Sequence, residues 1–173
     1  MTLIGGLLKR KMRLMPDLAK TFMVEDARIV FRNFAGKEGQ YNREGDRNFA
    51  VILPEDVAEQ MLADGWNVRY LEAREEGDEP TPYISVAVNF SNRPPRVILL
   101  TSTTRTQLDE SSVEILDWSD IKTADLIARG YDWNVNGKTG TKAYLQSLFV
   151  TIEEDALERK YRIHDVPPDN YNE

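Results

Sequence analysis

Trp133, Lys138, Lys142 and Tyr144 fall within one stretch, YDWNVNGKTGTKAYLQSLFVTI, residues 131–152. Cations beside aromatic rings can hold a phosphate backbone while the rings stack on bases, each stack being worth roughly 1–3 kcal/mol. The same mixture recurs earlier in the chain. Phe31, Arg32, Phe34, Lys37, Tyr41, Arg43, Arg47 and Phe49 crowd one region, and Arg93 and Arg96 flank a Pro-Pro turn. Aromatic rings in β-proteins are usually core, so Phe31 and Phe49, inside apolar runs, are expected to be buried. Tyr41 lies between Gln40 and Asn42 in a polar loop, and Arg43 and Arg47 are likewise expected at the surface. The candidate nucleic-acid-binding set is therefore Phe34, Lys37, Tyr41, Arg43, Arg47, Arg93, Arg96, Trp133, Lys138, Lys142 and Tyr144.

Other chemistries find less support. Gly137-Lys138-Thr139 suggests a phosphate loop, but the glycine needed five positions earlier is Asp132, and a strand-like run follows where a helix is required. The acidic run Glu75-Glu76-Gly77-Asp78-Glu79 lacks the alternating ligands and distal glutamate of a calcium loop, and reads as a solvated charge run. There is no cysteine and one histidine, His164, in a Pro- and Asp-rich tail, so a zinc site of the usual kind is excluded. No catalytic residue, metal ligand or cofactor site is assigned. One enzymatic alternative stays open: a magnesium-dependent nuclease built from carboxylates far apart in sequence, such as Asp46, Asp109 and Asp132.

Positioning these side chains falls to short strands. ARIVFRNF (27–34), NFAVIL (48–53), WNVRYL (66–71), YISVAVNF (83–90) and RVILLT (96–101) are β-rich runs separated by turn signals. The alternating runs around Asn136-Gly137 predict a closing hairpin over 131–152. Pro54 opens a helix with Glu55 and Asp56 in its first turn and Val57, Met61 and Leu62 as its apolar stripe, ending at Gly65. Residues 109–115 read as either helix or strand, and 117–130 as a short helix ending at Gly130. The expected fold is mainly β, an OB-fold-like β-barrel of five or more strands with one or two short helices.

Composition agrees with a globular chain: 173 residues, 41% hydrophobic and 29% charged. The net charge of −7 is unevenly placed. Residues 1–50 hold ten Lys/Arg against six Asp/Glu, and residues 151–173 hold three against seven. A local anion-binding face with an acidic end accounts for that asymmetry. The N-terminus places its apolar residues before its basic ones, opposite to a secretory signal, and its apolar run is too short to span a bilayer. Residues 1–25 are read as a flexible extension, with Met23 a cleaner start; 26–153 as the binding domain; and 154–173 as an acidic tail, a brief helix running into disorder.

RIVFRNFAGKEGQYNREGDRNFAVIL and DWNVNGKTGTKAYLQSLFVTIEED resemble tailed-phage single-stranded-DNA-binding proteins of the OB-fold type. The resemblance covers about residues 27–160. It implies a Greek-key barrel whose groove accepts an extended strand, with Trp133, Lys138, Lys142 and Tyr144 on one side and Tyr41, Arg43 and Arg47 facing them. It implies sequence-independent binding of single-stranded DNA in phage replication or recombination, without catalysis, in the cytoplasm of the infected bacterium. Phage replication or recombination proteins are candidate partners, a membrane is not, and a homodimer is left open. The tail departs from the family habit of a terminal aromatic, since Tyr171 stands two residues from the end. The remaining alternative is a β-barrel protein-interaction module.

Overall fold

The computed structural model describes residues 11–15 and 20–154. Its organising element is a long hairpin, β9 (Ile121–Val135) and β10 (Lys138–Ile152). The turn joins Val135 to Lys138 through Asn136 and Gly137, with φ of 52° and 80°. Positive φ at both central residues is what a two-residue type I′ turn requires, and Asn-Gly accepts it at least cost. The turn sets the register, so that Tyr131 faces Lys142 and Arg129 faces Tyr144.

The other strands assemble on the edges of this ribbon. β1 (Lys11–Met15) pairs with β2 (Thr21–Glu25), which pairs antiparallel with β9. The free edge of β10 receives two partners in succession. β6 (Thr81–Val88) pairs parallel at Ala143 and Tyr144, and β7 (Arg96–Leu100) pairs parallel over Ser147–Thr151. β6 in turn carries β4 (Arg47–Ile52) and β5 (Val68–Leu71); β3 (Ile29–Asn33) pairs with β4, and β8 (Arg105–Leu108) with β7. α1 (Glu55–Ala63) and a 3-10 turn (Val113–Asp117) complete the described residues. The fold is thus mainly β with one helix, as expected and compatible with an OB-like arrangement. The paired path from β1 to β3 stays open, however, and does not close into a barrel.

One core serves the whole assembly. Phe22, Phe49, Val51, Met61, Ile84, Val86, Leu116, Leu126, Leu145 and Leu148 all lie in it, drawn from both ends of the chain. Two expectations change here. The domain does not begin at residue 26: β1 and β2 lie before that point, and Phe22 and Val24 are core residues. The alternation of Phe22 and Val24 with Met23 and Glu25 is the strand signal, too short to stand out beside the polar N-terminal residues. Residues 1–10, 16–19 and 155–173, on which the reading of the flexible extension and acidic tail partly rests, lie outside the described residues.

The second correction concerns the helix expected over 117–130, where β9 runs instead. Ala124, Leu126 and Ala128 are buried while Asp125, Ile127 and Arg129 face away, a period of two. Gly130 is not a helix cap. A Cβ there would sit 2.6 Å from Thr141 Cγ2 and 2.8 Å from the Trp66 ring, so glycine is the residue that lets Trp66 pack across the strand.

Candidate nucleic-acid interface

The loop between β3 and β4 is built on a network of its own. Asn42 Nδ2 donates to the carbonyls of Lys37, Arg43 and Asp46, and Asn42 Oδ1 accepts from Asn48. Gly45 N donates to Gly36 O, and a Cβ on Gly36 (φ +69°) would come within 3.0 Å of the Gly45 backbone. The loop is anchored at its start by the Asp117 carboxylate, which accepts from the backbone N–H of Phe34 and Ala35. A loop so tied presents Tyr41 at its tip, 93% exposed.

The β9–β10 ribbon supplies the opposite wall. Cross-strand partners share a face, so Arg129, Tyr131, Trp133, Lys138, Lys142 and Tyr144 all project from the side away from the core. Lys142 Nζ stands 5.3 Å from the centroid of the Tyr144 ring, and Tyr131 meets Tyr144 edge to face at 6.2 Å. Ala87 and Ser85 of β6 continue the same surface, and Arg69 of β5 and Asn48 of β4 border it. These parts enclose a cleft of about 630 Å³ lined by Tyr41, Arg47, Arg69, Lys142, Tyr144 and Phe90 among others. A neighbouring cleft of about 740 Å³ is lined by Arg93, Arg129, Tyr131 and again Tyr144. Tyr144 is the shared wall of a longer groove.

The structure therefore brings together Tyr41, Arg47, Arg93, Lys142 and Tyr144 from the expected set. Lys138 lies on the same face at the hairpin tip. Trp133 packs over Gly140, whose Cβ would fall 2.6 Å from the indole; its ring is half-buried and fixed. Arg47 is held by Glu110 at 3.2 Å and lies 5.9 Å over Phe90, so part of its charge is already answered. Lys37 and Arg43 are exposed on the loop but line neither cleft. Arg96 sits farther along the sheet beside Phe149. Phe34 is a correction: it is wholly buried and stacked on Phe49 at 5.1 Å, so it offers no face to a base. Phe31, expected in the core, is 59% exposed instead.

Tyr131, Arg69 and Arg129 join the groove without having been expected there. Tyr131 is within reach of the sequence, because counting back from the Asn-Gly turn places it opposite Lys142. The same count places Arg129 opposite Tyr144, once β9 is taken to run upstream of residue 131. Arg69 reaches the groove only through the pairing of β5 with β6, which no local pattern announces.

The carboxylates of the nuclease alternative are engaged separately. Asp109 accepts from Ser111 and Ser112, whose hydrogen bonds hold its pKa below the ordinary value. Asp132 accepts from Lys20 Nζ at 2.7 Å and from Thr141 Oγ1 at 2.7 Å, on the face opposite the groove. Asp46 lies on the loop. Among the described residues no group of three or more His, Asp or Glu is placed to hold a metal ion.

The Lys20 hydrogen bond, then that of Thr141, lowers the pKa of Asp132. A carboxyl group depressed in the folded state contributes stability above its unfolded pKa and loses it as pH falls through the folded value. Denaturant midpoints should therefore decline on acidification below the ordinary carboxylate range, and Asp132→Asn should remove part of that decline. Identical acid limbs for the two proteins would show that this pair adds nothing to the fold.

A cation-lined groove with exposed rings on an OB-like sheet prompts comparison with known families. The family described as "Putative phage ssDNA-binding domain" matches residues 13–172. The chain belongs to this family. The match starts upstream of residue 26, in keeping with β2 being part of the domain. No curated protein sequence is significantly similar. Among solved structures, the C-terminally truncated single-stranded DNA-binding protein from bacteriophage Enc34 is similar with a TM-score of 0.51 at 12% identity, over 78% of this chain and 87% of that one. A second structure of the same bacteriophage protein gives 0.50 at 12%, over 78% and 82%. At such identity the likeness is one of fold.

Proposed function

We propose that the groove along β6, β9 and β10 holds single-stranded DNA without regard to sequence. Lys142 over the Tyr144 ring, with Tyr131 at its edge, is the observation that carries this reading: a cation and two rings share one open face. Lysine and arginine answer phosphates, and rings accept any base because every base has a π-face. Tyr41, on its hydrogen-bonded loop, closes over the strand from the opposite wall. The net charge of −7 discourages loose attachment to duplex, while the basic groove acts within about a Debye length, roughly 8–10 Å. The protein acts by coating and not by catalysis, in phage replication or recombination inside the infected bacterium.

The test is a salt titration with labelled oligo-dT and with blunt duplex. Single strands should bind more tightly, and binding should weaken as salt rises, because each counterion released into a more concentrated solution then gains less entropy. In the Lys138→Ala/Lys142→Ala protein the slope of log affinity against log salt should fall by about 0.7 for each phosphate left unneutralised. Equal or tighter binding of duplex by the parent would overturn the function. Parallel salt lines for parent and variant would remove these lysines from it.

A further inference from the structure

Arg96 and Arg105 approach the same ring. Each guanidinium carbon lies 5.8 Å from the centroid of Phe149, and both arginines are exposed. Among the described residues the ion pairs are those of Lys20 with Asp132 and of Arg47 with Glu110, and neither Arg96 nor Arg105 is neutralised in that way. Two like charges gathered on one ring repel each other, and an arrangement of that kind is stabilised when an anion lies between them.

Their position relative to the groove depends on an irregularity of β10. Ala128 pairs with Leu145 and Ile127 with Ser147, so Gln146 is an extra residue. A regular strand would place Phe149, five residues after Tyr144, on the opposite face. The bulge restores it to the same face, because Arg129 opposite Tyr144 and Asp125 opposite Phe149 are an even number of residues apart on the unbulged β9. Leu145, Leu148 and Val150 still fill the core. Ile98, partner of Phe149 on β7, is buried yet lies outside the core cluster.

The two flanks of Phe149 differ in charge. On the β7–β8 side stand Arg96 and Arg105. On the β2–β9 side an apolar hollow of about 340 Å³ is rimmed by Glu25, Asp26 and Asp125, with Asp125 accepting from Asp26 N at 2.7 Å. This asymmetry of charge favours a polyanion on the Arg96 and Arg105 flank of Phe149 over the acidic rim.

We propose that Arg96 and Arg105, set on Phe149, form a second phosphate-holding station that prolongs the single-strand track along β10 beyond Tyr144. The inference rests on the proposed function of the groove. From Lys138 to Phe149 the ribbon face is about 35 Å long at the rise of a β-strand. The station therefore adds to site size and not to the grip on the shortest strands.

The experiment compares parent, Arg96→Gln/Arg105→Gln and Lys138→Ala/Lys142→Ala proteins on oligo-dT of about 4, 8 and 16 nucleotides, lengths that span the site sizes of OB-folds. The arginine variant should bind the shortest oligonucleotide as the parent does and the longest more weakly. Its salt slope on the longest should be smaller by about 1.4, two phosphates at 0.7 each. The lysine variant should lose affinity at every length. Equal affinity and slope for parent and arginine variant at all lengths would overturn the station. So would a uniform loss at every length, since the arginines would then belong to the first groove. Failure of the parent to bind any of the three would overturn the proposed function itself, a different result from either.

Discussion

Phe22→Ala is expected to cost about 3–5 kcal/mol of stability, the range for emptying a fully buried aromatic site. Phe22 is 0% exposed, meets Trp66 edge to face at 5.3 Å, and lies on β2, which pairs with β9 from Thr21 to Val24. Trp66 in turn depends on Gly130 to cross the ribbon, so no small neighbouring shift refills the space. Denaturant unfolding measures the loss as a lower midpoint at unchanged slope. Tyr41→Ala is the companion, 93% exposed and expected within about 0.5 kcal/mol of the parent. A chain begun at Met23 lacks the same ring and should be destabilised in the same way. A midpoint for Phe22→Ala as high as that of Tyr41→Ala would mean that the segment before residue 26 is not part of the folding unit.

The second large effect is on binding. Tyr131→Ala/Tyr144→Ala should weaken oligo-dT binding by roughly 1–3 kcal/mol for each base deprived of its stack. The two rings touch, at 6.2 Å between centroids, so the single variants are not expected to sum to the double. Tyr144→Ala alone should cost more than Tyr131→Ala, because its ring borders both clefts and is the surface on which Lys142 rests. The salt slope should stay near that of the parent, since the cations remain, which separates stacking from phosphate contact. Both rings project away from the core, and thermal or denaturant unfolding of the variants should match the parent closely. Unchanged affinity in a well-folded double variant would take stacking at this place out of the mechanism.

Some of this architecture is legible in local chemistry. The Asn136-Gly137 pair, bounded by alternating runs, specifies a two-residue turn, because few other residues accept positive φ at both positions. The strands near 48–53, 83–90 and 96–101 follow from β-branched and aromatic runs between turn residues. The loop carrying Tyr41 is legible as polar and exposed, although its stiffness, built on Asn42 and the Asp117 anchor, is not. Local patterns mislead where two of similar strength compete within a short window. Residues 117–130 end in a glycine and contain spaced apolar residues, which suits a helix. Pairing with β10 along the full length of β9, and with β2 over Leu126–Arg129, outweighs that weak preference.

The site divides along the same line. Residue types and the hairpin register, including the facing of Tyr131 and Lys142, are local properties, because a turn fixes them within a few residues. That Phe34 stacks in the core while Phe31 emerges is decided by the irregular pairing of β3 with β4 between Val30 and Asn33, where Phe31 takes a φ of 50°. That Arg69 and Arg93 border the groove of this hairpin, and that Phe149 shares its face, is decided by strands pairing across most of the chain and by one extra residue in β10. Sequence alone determined which chemistry this protein carries. Tertiary structure decided which of those side chains reach the same surface, because a strand's face depends on the register of its partners, and a single inserted residue exchanges inside for outside.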